Sequence, residues 1–169
     1  AGCINGVTFA NCPTACCTDT ANCRNVVIGC NAYPGLVGAT AGLNNISIGS
    51  NAMCNITTHT TNVIGIGSQV YCNTITPEIS NLAVGYMAGS HQRCIRSCNI
   101  GYCAGVCMAA AFSAAGNFSI SVGANAGVRA CCTSSLAACM NLAIGAYAGR
   151  CVYACDSIAI GAYALAGDT

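Results

Sequence analysis

A short apolar phrase that ends in glycine recurs eight times along the chain. The glycines, numbered here as position 0 of each copy, are Gly29, Gly49, Gly67, Gly85, Gly101, Gly123, Gly145 and Gly161. An aliphatic residue stands at position −1 in every copy and an apolar residue at −3, whereas the residue at −2 is small or polar in most copies. Alternation with a period of two is typical of a short β-strand whose two faces differ. We expect the side chains at −3 and −1 to fill the core.

Residues on either side of the glycine predict where each strand begins and ends. Asn or Ser stands at −4 in seven of the eight copies, and such side chains bond to nearby backbone and favour turns. Glycine adopts backbone conformations closed to other residues, and Ala follows at +3 in all copies but one. We therefore expect each strand to end in a tight corner at the glycine, which we call the corner glycine.

The spacing of the corner glycines predicts the fold. Successive glycines lie 20, 18, 18, 16, 22, 22 and 16 residues apart. A strand, a corner, a second strand and a second corner at such intervals form one coil of a parallel β-solenoid, in which equal positions stack as ladders. Every spacing is even, so additions in pairs keep the same face of the strand. The sequence predicts an all-β chain: a disulfide-stapled parallel β-solenoid (β-roll) of about eight coils of 16–22 residues.

The first 24 residues depart from the repeat. They contain five of the seventeen cysteines and no corner phrase. We expect residues 1–24 to form an irregular Cys-rich cap or arm, and residues 25–169 to form the β-solenoid domain.

Charge is scarce, and this limits the choice of partners. Only five Lys or Arg and four Asp or Glu residues occur, with a formal net charge of +1. No basic surface is expected for nucleic acid. Residues 97–128 carry no charge and are apolar enough to suggest a membrane-spanning segment. However, Asn99, Ser113 and Asn117 interrupt this stretch, and the repeat continues through it. We expect no membrane span.

The seventeen cysteines predict an oxidising environment and bridges between coils. We expect an extracellular, cell-surface or virion-surface location, and the start at Ala1 suggests a mature, exported chain. Equal positions of adjacent coils stack about 4.8 Å apart, within the distance range for a disulfide. The preferred pairs are Cys54 with Cys72 and Cys139 with Cys155. The alternatives are Cys12–Cys16, Cys94–Cys98, Cys103–Cys107 and Cys151–Cys155, and the sequence does not choose among them.

Two vicinal pairs, Cys16–Cys17 and Cys131–Cys132, are candidates for bridges between subunits. Neighbouring residues of an extended strand point to opposite faces, so one thiol of each pair is expected to face outward. An odd number of cysteines also leaves at least one without a partner in the same chain.

Other chemistry is sparse. A metal site is suggested by a cluster of possible ligands, namely His91, Cys94, Cys98, Cys103 and Cys107. The cluster lacks the paired CxxC arms of zinc modules. Cys98 also falls at a predicted core position. The few carboxylates form no close pair and nothing selects an activated thiol, so we expect no enzyme, no metal and no cofactor. Candidate glycosylation acceptors are Asn45, Asn55 and Asn117.

The phrases NLAIGAYA at 141–148 and SIAIGAYA at 157–164 resemble the head repeats of YadA-like trimeric adhesins and the β-roll repeats of phage and large-virus fibres. The resemblance implies a parallel β-roll, commonly with three chains side by side, that is displayed for attachment. The longer coils and the cysteines of this chain depart from that pattern.

These features predict a structural subunit of an extracellular filament, sheath or fibre. It would form a homopolymer or homo-oligomer by stacking of solenoids and by disulfide cross-links. The alternative is an adhesive or receptor-binding head of a cell-surface or viral fibre, in which residues 57–61 or 109–115 contact a host or matrix receptor.

Overall fold

The computed structural model describes residues 26–32, 44–54, 60–72, 80–91, 96–106, 118–128, 140–151 and 156–167. It also describes the backbone of residues 3–4, 7–8, 78–79, 109–110 and 131–132. Within these residues every regular element is a β-strand. The strands are β1 (Cys3–Ile4), β2 (Val7–Thr8), β3 (Val26–Ile28), β4 (Ile46–Ile48), β5 (Thr60–Thr61), β6 (Ile64–Ile66), β7 (Glu78–Ile79), β8 (Leu82–Val84), β9 (Ser97–Ile100), β10 (Ala109–Ala110), β11 (Phe118–Val122), β12 (Cys131–Cys132), β13 (Met140–Ile144) and β14 (Ile158–Ile160).

One parallel sheet contains a strand from each of the eight glycine phrases. Its strands neighbour one another in chain order, namely β3, β4, β6, β8, β9, β11, β13 and β14. The register pairs equal repeat positions, so that Ile46 lies beside Ile64 and Leu82 beside Cys98. Successive parallel strands that pair in this way describe a parallel β-solenoid. The all-β parallel β-solenoid of the prediction is confirmed.

Shorter strands pair on the return side of the roll. Strand β5 pairs with β7 and β10 with β12, again in parallel. The antiparallel pair of β1 and β2 is the exception among the described strands. The rest of residues 1–24 lies outside the described part, and the domain boundary after residue 24 stays a prediction.

The corner glycines stack directly on one another. All eight have φ between 117° and 137°, a conformation that other residues rarely adopt. The backbone ladder continues through them, since the Gly49 nitrogen donates to the Ile28 oxygen at 2.8 Å. A Cβ added to Gly49 would collide with the backbone of Gly67. Glycine is therefore required by both the backbone conformation and the neighbouring coil.

The chain beyond the corner glycine is laddered as well. The residues at +2 have φ of 51° to 58° in each of the eight copies. The Asn51 nitrogen donates to the Cys30 oxygen at 2.8 Å, and two residues later the Met53 nitrogen donates to the Val70 oxygen at 2.7 Å. Equal positions in the corners therefore stack as regularly as those in the strands.

The sheet strands turn their residues at −2 to the interior, and not the aliphatic residues at −3 and −1. The described side chains at −2 are buried, for example Ala83 at 0% and Ser121 at 1% exposure, whereas Ile158 at −3 is 68% exposed and Ile160 at −1 is 64% exposed. The prediction that positions −3 and −1 fill the core is therefore wrong for the single chain. The inward face of each strand lies against the return at +3 and +4, which holds alanine at +3 in most repeats and the larger Met53 and Tyr71 at +4 in two of them.

Small and large residues compensate for each other across this thin interior. Gly65 leaves room for Met53 and Val70, because a Cβ on Gly65 would come within 2.7 Å of Val70 Cγ1 and 3.1 Å of Met53 Cγ. In the fifth coil the arrangement is reversed, since Gly105 leaves the space that Asn99 occupies. The first coils bury large residues such as Tyr71, and the last ones bury mainly alanine. The core is thus widest near the second and third coils.

No helix in the described part of the chain is long and apolar enough to cross a membrane.

Candidate assembly surface and thiol ladder

The aliphatic residues form an apolar surface along one side of the solenoid. We call the side chains at −3 and −1 of the eight-stranded sheet the outer face. At −3 they are Val26, Ile46, Ile64, Leu82, Cys98, Ile120, Leu142 and Ile158, and at −1 they are Ile28, Ile48, Ile66, Val84, Ile100, Val122, Ile144 and Ile160. None of these side chains carries a formal charge. The outer face is continuous because the register stacks each row without interruption.

The outer face is exposed along its whole length. Seven of its sixteen side chains are exposed by 38% or more, and the other nine are half-buried. Eight strands about 4.8 Å apart give a length of roughly 34 Å, and with two rows the footprint is roughly 400 Å². Patches of this size are often functional in soluble proteins.

Polar and aromatic groups border the outer face at position −5. Asn44 Nδ2 donates to Asn62 Oδ1 at 3.2 Å, and Asp156 Oδ1 accepts from the Met140 nitrogen at 3.1 Å. Between them the Arg96 guanidinium lies 5.3 Å from the centroid of the Phe118 ring. An apolar centre with a polar border is the usual composition of a protein–protein interface.

A second surface feature is a pair of tyrosine stacks on the corners. The rings of Tyr86 and Tyr102 lie 5.4 Å apart at 18°, and those of Tyr147 and Tyr163 lie 5.0 Å apart at 6°. Each stack joins equal positions of consecutive coils. The neighbouring Cys103 thiol, through its charge, raises the pKa of Tyr102. These stacks hold the corners in register, with about 0.5–1.5 kcal/mol per aromatic pair.

The Asn and Ser residues at −4 connect one coil to the next. Asn81 Oδ1 accepts from the Ser97 nitrogen at 2.6 Å, and Asn141 Oδ1 accepts from the Ser157 nitrogen at 3.2 Å. The sequence predicted a turn at these positions. In the structure they also form a buried polar ladder between coils.

Asn45 belongs to this ladder, which bears on its role as a glycosylation acceptor. It is 1% exposed, and its Nδ2 donates to both the backbone oxygen and the Oγ1 of Thr60 at 3.0 Å. A glycan on this nitrogen would leave one N–H for the two acceptors of Thr60 and would find no space at a side chain that is 1% exposed. The structure therefore argues against Asn45 as an acceptor. Asn55 and Asn117 lie outside the described residues.

The suggested receptor-contact corners are described only in part. Thr60 is 0% exposed and Thr61 is half-buried, whereas residues 57–59 lie outside the described part. Thr60 is thus not available to a receptor. Of residues 109–115, the structure describes only the backbone of β10.

Cys54 and Cys72 are brought together as the repeat register predicted. Their Sγ atoms are 2.6 Å apart, which is longer than a disulfide bond. Burial, followed by the hydrogen bond with Cys54 and the Cys54 charge, raises the pKa of Cys72 to about 12. The two side chains are thus neighbours with no disulfide between them in this structure.

No disulfide joins the described cysteines, so the predicted stapling is not observed there. Six thiols are free, those of Cys30, Cys54, Cys72, Cys98, Cys103 and Cys151. Cys98 lies on the outer face and not in the core as predicted, and burial raises the pKa of both Cys98 and Cys103. Outside the described residues lie Cys12, Cys16, Cys17, Cys94, Cys107, Cys139 and Cys155. Cys131 and Cys132 form β12, whose backbone alone is described.

The histidine and cysteine cluster raised as a metal site is only partly described. His91 is exposed, and its backbone nitrogen donates to the backbone oxygen of Cys72 at 3.0 Å. Across the described ranges, no three His, Cys, Asp or Glu side chains come together as metal ligands.

No family model, curated protein or solved structure matches this chain. The resemblance to adhesin and fibre repeats is therefore supported at the level of the β-solenoid fold alone.

Sequence reasoning missed the outer face as a functional surface because it assigned its residues to the core. A signal was present in the small residues at −2 and the alanines at +3. Together these residues indicate an interior that has no room for isoleucine.

Proposed function

We propose that this chain is a structural subunit of an extracellular filament, sheath or fibre, in which copies associate side by side through the outer face. The observation that carries the proposal is the outward position of the aliphatic rows, with Ile66, Ile100 and Ile144 each 38–39% exposed in a surface without charged side chains. These side chains are not part of the buried core of the single chain, so the fold does not explain why they are aliphatic. Their outward position indicates a surface that binds a partner.

The energy available from the outer face supports association. Removing the exposed part of one aliphatic side chain from water contributes about 1 kcal/mol, so the whole face supplies on the order of 10 kcal/mol. This is comparable to the loss of translational and rotational freedom on association, about 4–15 kcal/mol. A second copy is the natural partner because both surfaces are apolar and their strands repeat at the same interval.

We further propose that each sheet strand belongs to one complete coil, which makes about eight coils, and that cysteine bridges join neighbouring coils. The continuous register of the eight strands and the contact of Cys54 with Cys72 support this proposal. Bridges between copies, the sequence-based role of Cys16, Cys17, Cys131 and Cys132, and end-to-end stacking are compatible with side-by-side association and stay predictions.

The test compares two substitutions in the same coil. Ile144→Glu places a charge on the outer face, and Ala146→Glu places the same charge on an exposed corner two residues away. Mass is measured by light scattering during gel filtration, and particles are viewed by electron microscopy. We expect multimers for the wild type and for Ala146→Glu, and folded monomers for Ile144→Glu.

A wild-type chain that is monomeric at all concentrations would contradict the proposal. Multimers of unchanged size in Ile144→Glu would assign association to another surface, such as the ends of the roll. Saturable binding of a host glycan or matrix protein by discrete particles would favour the adhesive head instead.

A further inference from the structure

We propose that Cys54 and Cys72 form a redox latch that locks the third coil onto the second. The latch rests on the part of the proposed function in which cysteine bridges join neighbouring coils, and it does not depend on association of copies, since it acts within one chain. It selects one pair among the many that the cysteine count allows, and it assigns the pair a reversible role.

The geometry of the repeat favours this pair. Both residues stand at +5 of consecutive coils, with their Sγ atoms 2.6 Å apart. One residue earlier in each coil, the Met53 nitrogen donates to the Val70 oxygen at 2.7 Å, and the Tyr71 nitrogen donates to the Ala88 oxygen at 3.1 Å. The backbone on both sides of the thiols is thus held by the ladder. A small rotation of the side chains suffices to reach bonding distance.

The row of thiols ends after these two coils. Ser90 occupies the same position in the fourth coil, and its Oγ donates to the Cys72 oxygen at 3.2 Å. Val106 follows in the fifth. Among the described residues at +5, each of the two thiols therefore has the other as its only sulfur neighbour, so oxidation has one product in this row.

The position of the pair gives the bond a mechanical effect. Met53 and Tyr71 are the two largest fully buried side chains among the described residues, with 1% and 0% exposure. Each directly precedes one of the cysteines. A bond between Cys54 and Cys72 would close the chain around this wide part of the core and oppose separation of the two coils.

The reaction is thiol–disulfide exchange with a small disulfide such as oxidised glutathione. A thiolate of the pair attacks one sulfur of the oxidant and releases one small thiol. The second protein thiol loses its proton, attacks the mixed disulfide and releases the other small thiol. Two protein thiols are oxidised to one disulfide, and one small disulfide is reduced to two thiols. Cys72 is the more accessible of the two, and its raised pKa makes exchange faster as the pH increases.

The experiment maps the thiols before and after oxidation. Reduced chain is incubated with oxidised glutathione, denatured and alkylated, and non-reduced chymotryptic peptides are identified by mass spectrometry. We expect a peptide pair that links Cys54 to Cys72 and disappears on reduction. The control Cys30→Ser removes an exposed thiol and keeps this link.

Hydrogen exchange measures the effect on opening. The bond would join residues 18 positions apart. Hydrogen exchange at the Met53 and Tyr71 amides is therefore expected to slow by roughly a hundredfold on oxidation. Cys72→Ser should lose this difference between oxidised and reduced samples. Because the main comparison uses wild-type chain in two redox states, it holds even where a variant folds poorly.

Two outcomes would overturn the latch: Cys54 or Cys72 bonded to a different cysteine, or both still alkylated after other thiols have been oxidised. Equal exchange rates in linked and reduced chain would refute the mechanical role.

Discussion

At the scale of single residues, the corner position requires glycine for two separate reasons. Its φ lies outside the range of most residues, and its Cα faces the backbone of the next coil. Gly67 and Gly161 separate these requirements, because a Cβ on Gly67 would collide with Gly85 whereas a Cβ on Gly161 would meet nothing within 4 Å. Both have positive φ, 137° and 117°.

We expect Gly67→Ala to lower the free energy of unfolding by roughly 3 kcal/mol or more, since strain and collision add. Gly161→Ala should lower it by about 1–2 kcal/mol, from strain alone. Urea unfolding followed by circular dichroism measures both. Equal losses would mean that stacking of the corners contributes nothing.

A second residue-scale prediction concerns pH. The folded chain holds the Cys72 proton more tightly than the unfolded chain, because its pKa is raised from 9.0 to about 12. The stabilisation is complete below pH 9 and is lost as the pH rises toward 12. The reduced wild type should therefore lose stability over this range more steeply than Cys72→Ser. Thermal unfolding at a series of pH values makes the comparison, and parallel curves would contradict it.

At the scale of elements, each sheet strand has a narrow inner face and a broad apolar outer face. Ala143 at −2 is 5% exposed, whereas the adjacent Ile144 is 38% exposed. The inner side chains face the return of their own coil, and the outer ones face solvent or a partner. Neighbouring positions of one strand therefore have opposite tolerance for charge.

We expect Ala143→Glu to prevent folding or to cost several kcal/mol, because an unpaired carboxylate would be buried. Ile144→Glu should leave the circular dichroism spectrum of the monomer unchanged. The two variants place the same residue type at adjacent positions of one strand, so the β-strand propensity of the new side chain and its place along the chain are matched. The opposite result would place the core on the other face.

At the scale of the whole molecule, the scarcity of charge and the outer face act together. With a formal net charge of +1, repulsion between copies is weak, and the apolar outer face lies along the full length of the sheet. We therefore expect the proposed association to be driven by removal of apolar surface from water rather than by ion pairs.

Association should consequently strengthen in sulfate and persist in high concentrations of sodium chloride. Sulfate favours apolar burial because it is excluded from protein surfaces, while screening removes only charge interactions. Sedimentation velocity across a salt series tests this prediction. Dissociation at moderate salt would indicate a charge-driven interface.

The sequence by itself determined the period, the position of every strand in the main sheet, the corner glycines and the proximity of Cys54 to Cys72. These properties are local or follow from register: alternation marks a strand, glycine marks a corner, and equal positions must stack once the fold is a solenoid. The tertiary structure decided which face of the strand is inside. Alternation with a period of two is symmetric between the faces, and the small residues at −2 and the alanines at +3 mark the inner face only once strand and return are packed against each other, as Ala83 and Ala88 are at 0% exposure.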